Sequence, residues 1–123
     1  MADNGKVVIN LMTGHEDADR VTVAFLVATA ALTKGKQVAM FLTKEAVRIG
    51  TPGYADAIEV AGAPPVARLF EQYRDGGGEL LVCPICFNAR KLDETTLIEG
   101  ARMAGATPLW DWIGDESATV FSY

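Results

Sequence analysis

Two cysteines three residues apart carry the strongest chemical signal in the sequence, in the motif Cys83-Pro84-Ile85-Cys86. The motif directly follows the short apolar run 79–82 and precedes a helical pattern, so it lies where a strand ends and a helix begins. Pro84 suits the first helical position because proline has no N–H to leave unpaired there. Cys83 is then the N-cap and Cys86 lies in the first turn, where unpaired N–H groups and the helix dipole favour thiolate over thiol.

The spacing of the two thiols also predicts that they cooperate. Residues at i and i+3 are neighbours on a helix, so the sulfur atoms of Cys83 and Cys86 can meet. Arg90 lies one turn beyond Cys86 and adds positive potential. We predict that Cys83 is the more reactive thiol, because a sulfur at the N-cap can accept a backbone N–H hydrogen bond as thiolate.

Other interpretations of the cysteine pair compete with this one. Free cysteines often serve as small buried hydrophobic residues. A zinc site is disfavoured because the pair supplies two ligands and His15, the single histidine, a third at most, unless subunits share a metal. A thioredoxin fold is disfavoured because its C-x-x-C follows the first strand, whereas this one follows the third. Dithiol chemistry itself stays open.

The loop 13–20 after the first strand is the second candidate region. It opens on the same sheet edge as Cys83 if the two strands are parallel neighbours, and His15 is then a candidate proton donor or base near a thiol. The alternative is a histidine that is simply solvated. The loop lacks the glycine patterns of nucleotide-binding loops, and its acidic side chains repel phosphate, so we predict no cofactor.

Composition restricts the remaining classes of function. The chain has 123 residues, 16 of them acidic and 11 basic, for a net charge of −5, which argues against nucleic acid or an anionic membrane as partner. The longest nearly apolar stretch, 21–32, is too short to span a bilayer, and nothing resembles a signal peptide. We therefore expect one soluble cytoplasmic domain, 1–123.

Strand and helix patterns alternate along the chain, which predicts an α/β three-layer sandwich with a mostly parallel sheet. The segment 93–104 is ambiguous: it reads either as one helix or as a short helix followed by a strand at 101–104. Strands are predicted at 6–12, 37–42, 79–82 and 118–122, and helices at 20–33, 64–75, 87–92 and 107–113.

The first predicted helix, 20–33, has almost no polar face. A helix that is apolar all round must be covered all round, and one sheet covers only one side. We therefore predict a homo-oligomer in which a second subunit covers the rest. Trp110 and Trp112 are interpreted as core or interface residues.

Several short motifs follow one another in an order and at spacings that match a known family. They are Thr13-Gly14, Glu16-Asp17 with Arg20, Gly35, Lys44-Glu45-Ala46-Val47, Gly53-Tyr54-Ala55-Asp56, Gly62, Val82-Cys83-Pro84-Ile85-Cys86 with Ala89-Arg90, and the segment 118–123. On these residues the chain resembles the DsrE/DsrF-like family of small sulfur-relay proteins, in its short single-domain bacterial branch, over 6–123.

The resemblance implies a flavodoxin-like α/β sandwich that assembles into trimers or hexamers, with a strand at 101–104. In the sulfur-relay members a cysteine at the position of Cys83 carries sulfur as a persulfide, and that role transfers to Cys83 alone. Those members usually have a small apolar residue where this chain has Cys86, so the second thiol suggests a resolving or redox partner. His15 stands where relatives often have proline, so no family role transfers to it.

Two classes of function remain open at this point. The first is a sulfur-transfer or thiol-redox protein that acts through Cys83 and exchanges sulfur with donor and acceptor proteins. The second is an oligomeric binding or assembly protein whose cysteines are incidental. Reactivity of the thiols with an alkylating reagent near neutral pH distinguishes the two.

Overall fold

A parallel sheet forms the centre of the computed structural model, which describes residues 5–123. The first four residues of the predicted domain 1–123 lie outside this range. In the described range the strands are β1 (Lys6–Leu11), β2 (Gln37–Leu42), β3 (Glu79–Val82), β4 (Ala101–Met103) and β5 (Ala118–Ser122). Their spatial order is β4-β3-β2-β1-β5, and each neighbouring pair is parallel.

Helices cover both faces of the sheet. Within the described chain the α-helices are α1 (Ala18–Thr33), α2 (Val66–Asp75), α3 (Pro84–Ala89) and α4 (Ala106–Ile113). The helices α1 and α2 pack together over the main core, whereas α4 covers a smaller core on the opposite face. Right-handed crossovers explain this division, because the chain steps from β1 to β4 in one direction and then returns to the far edge for β5. The predicted three-layer α/β sandwich is confirmed, with a sheet that is parallel throughout.

Local signals in the sequence set most of the helix ends. The Asp17 side chain accepts the Arg20 N–H at 3.1 Å, so α1 begins at Ala18, two residues before the predicted start. Gly35 has a φ of 84°, the left-handed conformation that glycine adopts without strain after a helix. Pro65 is the N-cap of α2, with the φ of −60° that its ring fixes and an extended ψ of 144°.

The ambiguous segment 93–104 contains a strand. The Asp93 side chain caps only the short 3-10 turn Glu94–Thr96, by accepting the Thr95 N–H at 2.9 Å. Gly100 then has a φ of 95°, which no α-helix accommodates, and β4 pairs with β3. The single-helix alternative is therefore wrong, and the strand that the family resemblance implied is confirmed, although it ends at Met103.

Lys6 joins the two ends of the described chain in a way that the sequence pattern did not indicate. Its Nζ donates to the carbonyl oxygens of Trp112 at 2.6 Å and Ile113 at 3.0 Å, and it pairs with Glu116 at 3.2 Å. The ammonium group therefore meets the negative end of α4, where unpaired carbonyls and the helix dipole favour a cation.

Apolar side chains of α1 remain at the surface of a single chain. Val21, Ala24 and Phe25 are fully buried, but Val23 and Leu26 are 42% and 39% exposed. The part of the chain that the structure describes has no helix, α1 included, that is long and apolar enough to cross a membrane. A second subunit remains the predicted cover for this face.

The two tryptophans of α4 have different environments. Trp112 packs against the smaller core, as predicted for a core residue. Trp110 is 69% exposed, so within one chain it is not a core residue.

Candidate functional site

The segments that carry the predicted site residues leave the sheet at its carboxyl edge, which is the side on which the strands end. Because β1, β2 and β3 are parallel, their carboxyl ends share that edge, and they continue into the 3-10 turn His15–Asp17, the 3-10 segment Lys44–Gly50 and α3. The expectation that His15 and Cys83 share an edge is confirmed. The two strands are not neighbours, however, since β2 lies between them and their ends are two strand spacings apart, roughly 10 Å.

The residues 83–86, called the cysteine turn below, form the start of α3. Cys83 is the N-cap and Pro84 occupies the first turn, as predicted. The Cys83 N–H donates to the carbonyl of Leu42 at 3.0 Å, which ties the turn to the end of β2. Phe87 is fully buried and its N–H donates to the Cys83 carbonyl at 3.0 Å. The turn is thus anchored on both sides while its outer surface stays accessible.

Both thiols are unbonded and half-buried, and both side chains pack against the main core. Ile85, between them, is 80% exposed. The prediction that the Cys83 sulfur accepts a capping hydrogen bond is wrong, because its side chain accepts none from the helix residues that the structure describes. The prediction that Cys83 is more reactive than Cys86 therefore rests on the N-cap position of Cys83 and on the family resemblance.

Arg90 is held beside the cysteine turn by an acidic residue of the neighbouring segment. Its Nε donates to Glu45 Oε2 at 2.6 Å, and its Nη1 donates to the carbonyl of Cys86 at 3.2 Å. The other carboxylate oxygen, Glu45 Oε1, accepts from Arg48 Nε at 2.8 Å. The positive potential predicted from Arg90 is therefore compensated by a carboxylate in direct contact.

The two arginines hold Glu45 in its charged form. The hydrogen bond from Arg90, followed by that from Arg48, lowers the pKa of the Glu45 carboxyl below its usual value of 4.5, so the ion pairs persist at neutral pH. Sequence reasoning assigned no role to Glu45 or Arg48. Their opposite charges three residues apart, directly after a strand that ends at the same edge, were the available signal.

His15 is held by Tyr54 rather than by a cysteine. The two rings stack with centroids 3.6 Å apart and planes 3° apart, and His15 Nε2 lies 2.9 Å from the Tyr54 carbonyl oxygen. Because a carbonyl only accepts, Nε2 carries the proton in this contact, and Nδ1 is left for other partners. The His15 backbone N–H donates to the Tyr54 hydroxyl at 2.7 Å, and burial raises the pKa of that hydroxyl.

The contact between His15 and Tyr54 depends on the absence of a side chain at Gly14. A Cβ atom at Gly14 would lie 2.3 Å from the Tyr54 hydroxyl oxygen and 3.2 Å from the Glu45 carbonyl oxygen. Gly14 therefore lets the Tyr54 loop reach the end of β1, next to the segment that carries Glu45. The structure places His15 at the predicted edge of the sheet, in contact with Tyr54. It places Arg90 in contact with the backbone of Cys86.

Two general properties of the site bear on ligands. Among residues 5–123, no three His, Cys, Asp or Glu side chains are grouped so that they could hold a metal ion. Every buried side-chain nitrogen or oxygen in this range has a hydrogen-bond partner.

Comparison with known proteins places the chain in a family. A model of the DsrE/DsrF-like family matches residues 5–122. The crystal structure of the ychN protein from E. coli superposes with a TM-score of 0.78 at 17% identity and covers 97% of this chain and 99% of that one. The protein of unknown function MTH1491 from Methanobacterium thermoautotrophicum gives a TM-score of 0.72 at 12% identity, over 98% of this chain and 100% of that one. These similarities show the fold.

A curated relative by sequence is the uncharacterized protein MJ0760 of Methanocaldococcus jannaschii. It is 24% identical over 101 residues, which are 82% of this chain and 37% of that protein. The chain thus spans little more than a third of the length of this relative.

Proposed function

The chain belongs to the DsrE/DsrF-like family, and on that premise we propose that it carries sulfur as a persulfide on Cys83, with Cys86 as resolving or redox partner. Family membership indicates a sulfur-relay type of role. The observation that carries the finer proposal is the cysteine turn itself, two unbonded, half-buried thiols at a strand-to-helix junction. A thiol in this position is accessible to a donor and close to the unpaired N–H groups of a helix start.

The chemistry of loading follows from thiolate exchange. A Cys83 thiolate attacks the terminal sulfur of a donor persulfide, a bond forms between the two sulfurs, and the donor leaves as its thiolate. Delivery to an acceptor thiolate is the same exchange with Cys83 as the leaving group. No electrons leave or enter the pair of reactants in either step, so no cofactor takes part.

Intact mass after incubation with inorganic polysulfide tests this proposal. We expect wild type to gain one sulfur atom, Cys86→Ser to gain it as well, and Cys83→Ser to lose at least about nine-tenths of the gain, because the second thiol is not at the N-cap. An alkylation assay on the same samples shows whether the thiols are reactive. Cys86→Ser that alkylates readily but takes up no sulfur would contradict persulfide carriage, because this variant cannot discharge the sulfur by forming an internal disulfide.

A dithiol redox role is the second candidate, favoured by the presence of two free thiols in one helical turn. It predicts a reversible internal disulfide with no sulfur uptake. The mass of Cys86→Ser separates the two, because this variant cannot form the internal disulfide and gains a sulfur atom only if Cys83 carries a persulfide.

We also propose that the chain assembles into a homo-oligomer, a trimer or a hexamer. The exposed Val23 and Leu26 on α1, and Val120 and Phe121 on the edge strand β5, support this proposal. We expect light scattering to give three or six times the 13.1 kDa of one chain. Leu26→Glu should lower that mass, whereas Arg68→Glu, at an exposed position of α2, should not. A wild-type mass of one chain at micromolar concentration would contradict assembly.

A further inference from the structure

We propose that Glu45 controls the reactivity of the cysteine turn by holding Arg90 beside Cys86 in an ion pair that compensates part of its charge. Glu45 is in this view a positioning residue that contacts neither thiol. The inference rests on the proposed function only in taking the thiols of the cysteine turn as the reactive groups.

The geometry links Glu45 to the cysteine turn through one side chain. Both carboxylate oxygens of Glu45 are used, one by Arg48 at 2.8 Å and the other by Arg90 at 2.6 Å. Arg90 in turn donates to the backbone carbonyl of Cys86 at 3.2 Å. The guanidinium is therefore fixed next to the residue that bears the second thiol, and its charge is compensated at the point of contact.

The charges at the end of α3 and on the segment packed against α3 come from five side chains. The 3-10 segment Lys44–Gly50 packs against α3 and contributes Lys44, Glu45 and Arg48. The end of α3 contributes Arg90 and Lys91. On these two elements Glu45 is thus the one carboxylate among four cations. Because these groups are partly exposed, solvent screens them, and the expected effects are moderate.

Removal of Glu45 and removal of Arg90 should change the reactivity of the thiols in opposite directions. In Glu45→Gln the guanidinium of Arg90 loses its compensating charge, so thiolate is favoured and reaction begins at lower pH. In Arg90→Met a positive charge beside the turn is removed while Glu45 stays, still paired with Arg48, so thiolate is disfavoured and reaction begins at higher pH. The double variant removes both charges and should behave like wild type. A purely structural role would move both single variants the same way, because either one loosens the same contact.

The test is the rate of alkylation by iodoacetamide between pH 6 and pH 10. Each variant is measured in a Cys83→Ser background to follow Cys86, and in a Cys86→Ser background to follow Cys83. For Cys86 we expect Glu45→Gln to raise the rate at pH 7 about threefold and Arg90→Met to lower it about threefold, with the double variant within about 1.5-fold of wild type. The shift should be smaller for Cys83, which precedes Arg90 by two helical turns whereas Cys86 precedes it by one.

A conservative variant keeps the test decisive if one of these chains folds poorly. Arg90→Lys retains the charge but cannot make both hydrogen bonds of Arg90. Because the inference rests on charge, the rate of this variant at pH 7 should stay closer to that of wild type than the rate of Arg90→Met does. A Glu45→Gln rate that is unchanged or lower than wild type would overturn the inference, as would equal shifts of the two single variants in one direction. The assay uses no sulfur donor. Failure of persulfide loading with the expected rate shifts would thus refute the proposed function and leave the role of Glu45 standing.

Discussion

Wild-type protein is expected to lose bound sulfur at least about tenfold faster than Cys86→Ser, because the Cys86 thiolate lies in the same helical turn as the persulfide on Cys83. In this reaction Cys86 attacks the sulfur attached to Cys83, a disulfide forms between the two cysteines, and the outer sulfur leaves as hydrosulfide. Its proton comes from the persulfide or from solvent. The persulfide sulfur is reduced as the two cysteines are oxidised, so the electrons balance.

The helix that carries the cysteines is suited to this step. It spans six residues, Pro84–Ala89, so little helical structure is lost when its first turn opens. The contact from the Phe87 N–H to the Cys83 carbonyl is the closing bond of that turn. A disulfide needs Cβ atoms about 3.8 Å apart, whereas neighbours at i and i+3 have them about 5–6 Å apart, so this turn must open.

Intact mass recorded over time after removal of the donor measures the loss of sulfur. The wild type should show the appearance of a form lighter by two hydrogen atoms than the reduced chain, and Cys86→Ser should not. Cys86→Ala serves as the matched control, because it also lacks the thiol but adds no hydroxyl. Equal persulfide lifetimes in wild type and both variants would make Cys86 a structural residue and the protein a carrier with one active cysteine.

Gly78→Ala is expected to destabilise the fold by roughly 2–3 kcal/mol, the cost of forcing an added methyl group into a packed core. A Cβ atom at this position would lie 2.3–2.6 Å from three ring carbons of Tyr73. The ring cannot move aside easily, because Tyr73 is fully buried and its hydroxyl donates to the Glu79 carbonyl at 2.6 Å. Burial also raises the pKa of Tyr73, so the hydroxyl stays protonated and keeps donating at any ordinary pH.

Urea unfolding of the two adjacent glycine variants checks this prediction. Gly77 has a φ of 90° and open space around its missing side chain, so Gly77→Ala measures backbone strain alone, about 1 kcal/mol. The extra cost of Gly78→Ala over this control is then steric. If Gly78→Ala proves no more destabilising than Gly77→Ala, the contact between Gly78 and the Tyr73 ring does not limit this part of the core.

Features that depend on residues close together in the sequence were predictable from the sequence. The bounds of β2 and β3 follow from continuous apolar runs, and the start of α3 follows from Pro84. Gly35 ends α1 because a left-handed residue is needed there. The placement of Cys83 at a strand-to-helix junction on the carboxyl edge belongs to the same class, since each element that defines it is local.

The tertiary structure decided which of these local elements pack together and which distant side chains come into contact. The ambiguity of 93–104 could not be settled by pattern, because both alternatives contain the same apolar residues and only pairing with β3 selects the strand. The contact between Arg90 and Glu45 joins residues 45 positions apart, and that between His15 and Tyr54 joins residues 39 apart.

The amino-acid sequence by itself thus determined the elements, the edge of the sheet at which the candidate site lies and the pair of thiols. The tertiary structure alone decided that Arg90 is neutralised by Glu45 and that His15 is turned to Tyr54. The physical reason is that helix ends and strand runs depend on backbone conformation within a few residues. Charge compensation depends on which strands become neighbours, and β2 lies between β1 and β3 only once the whole sheet is assembled.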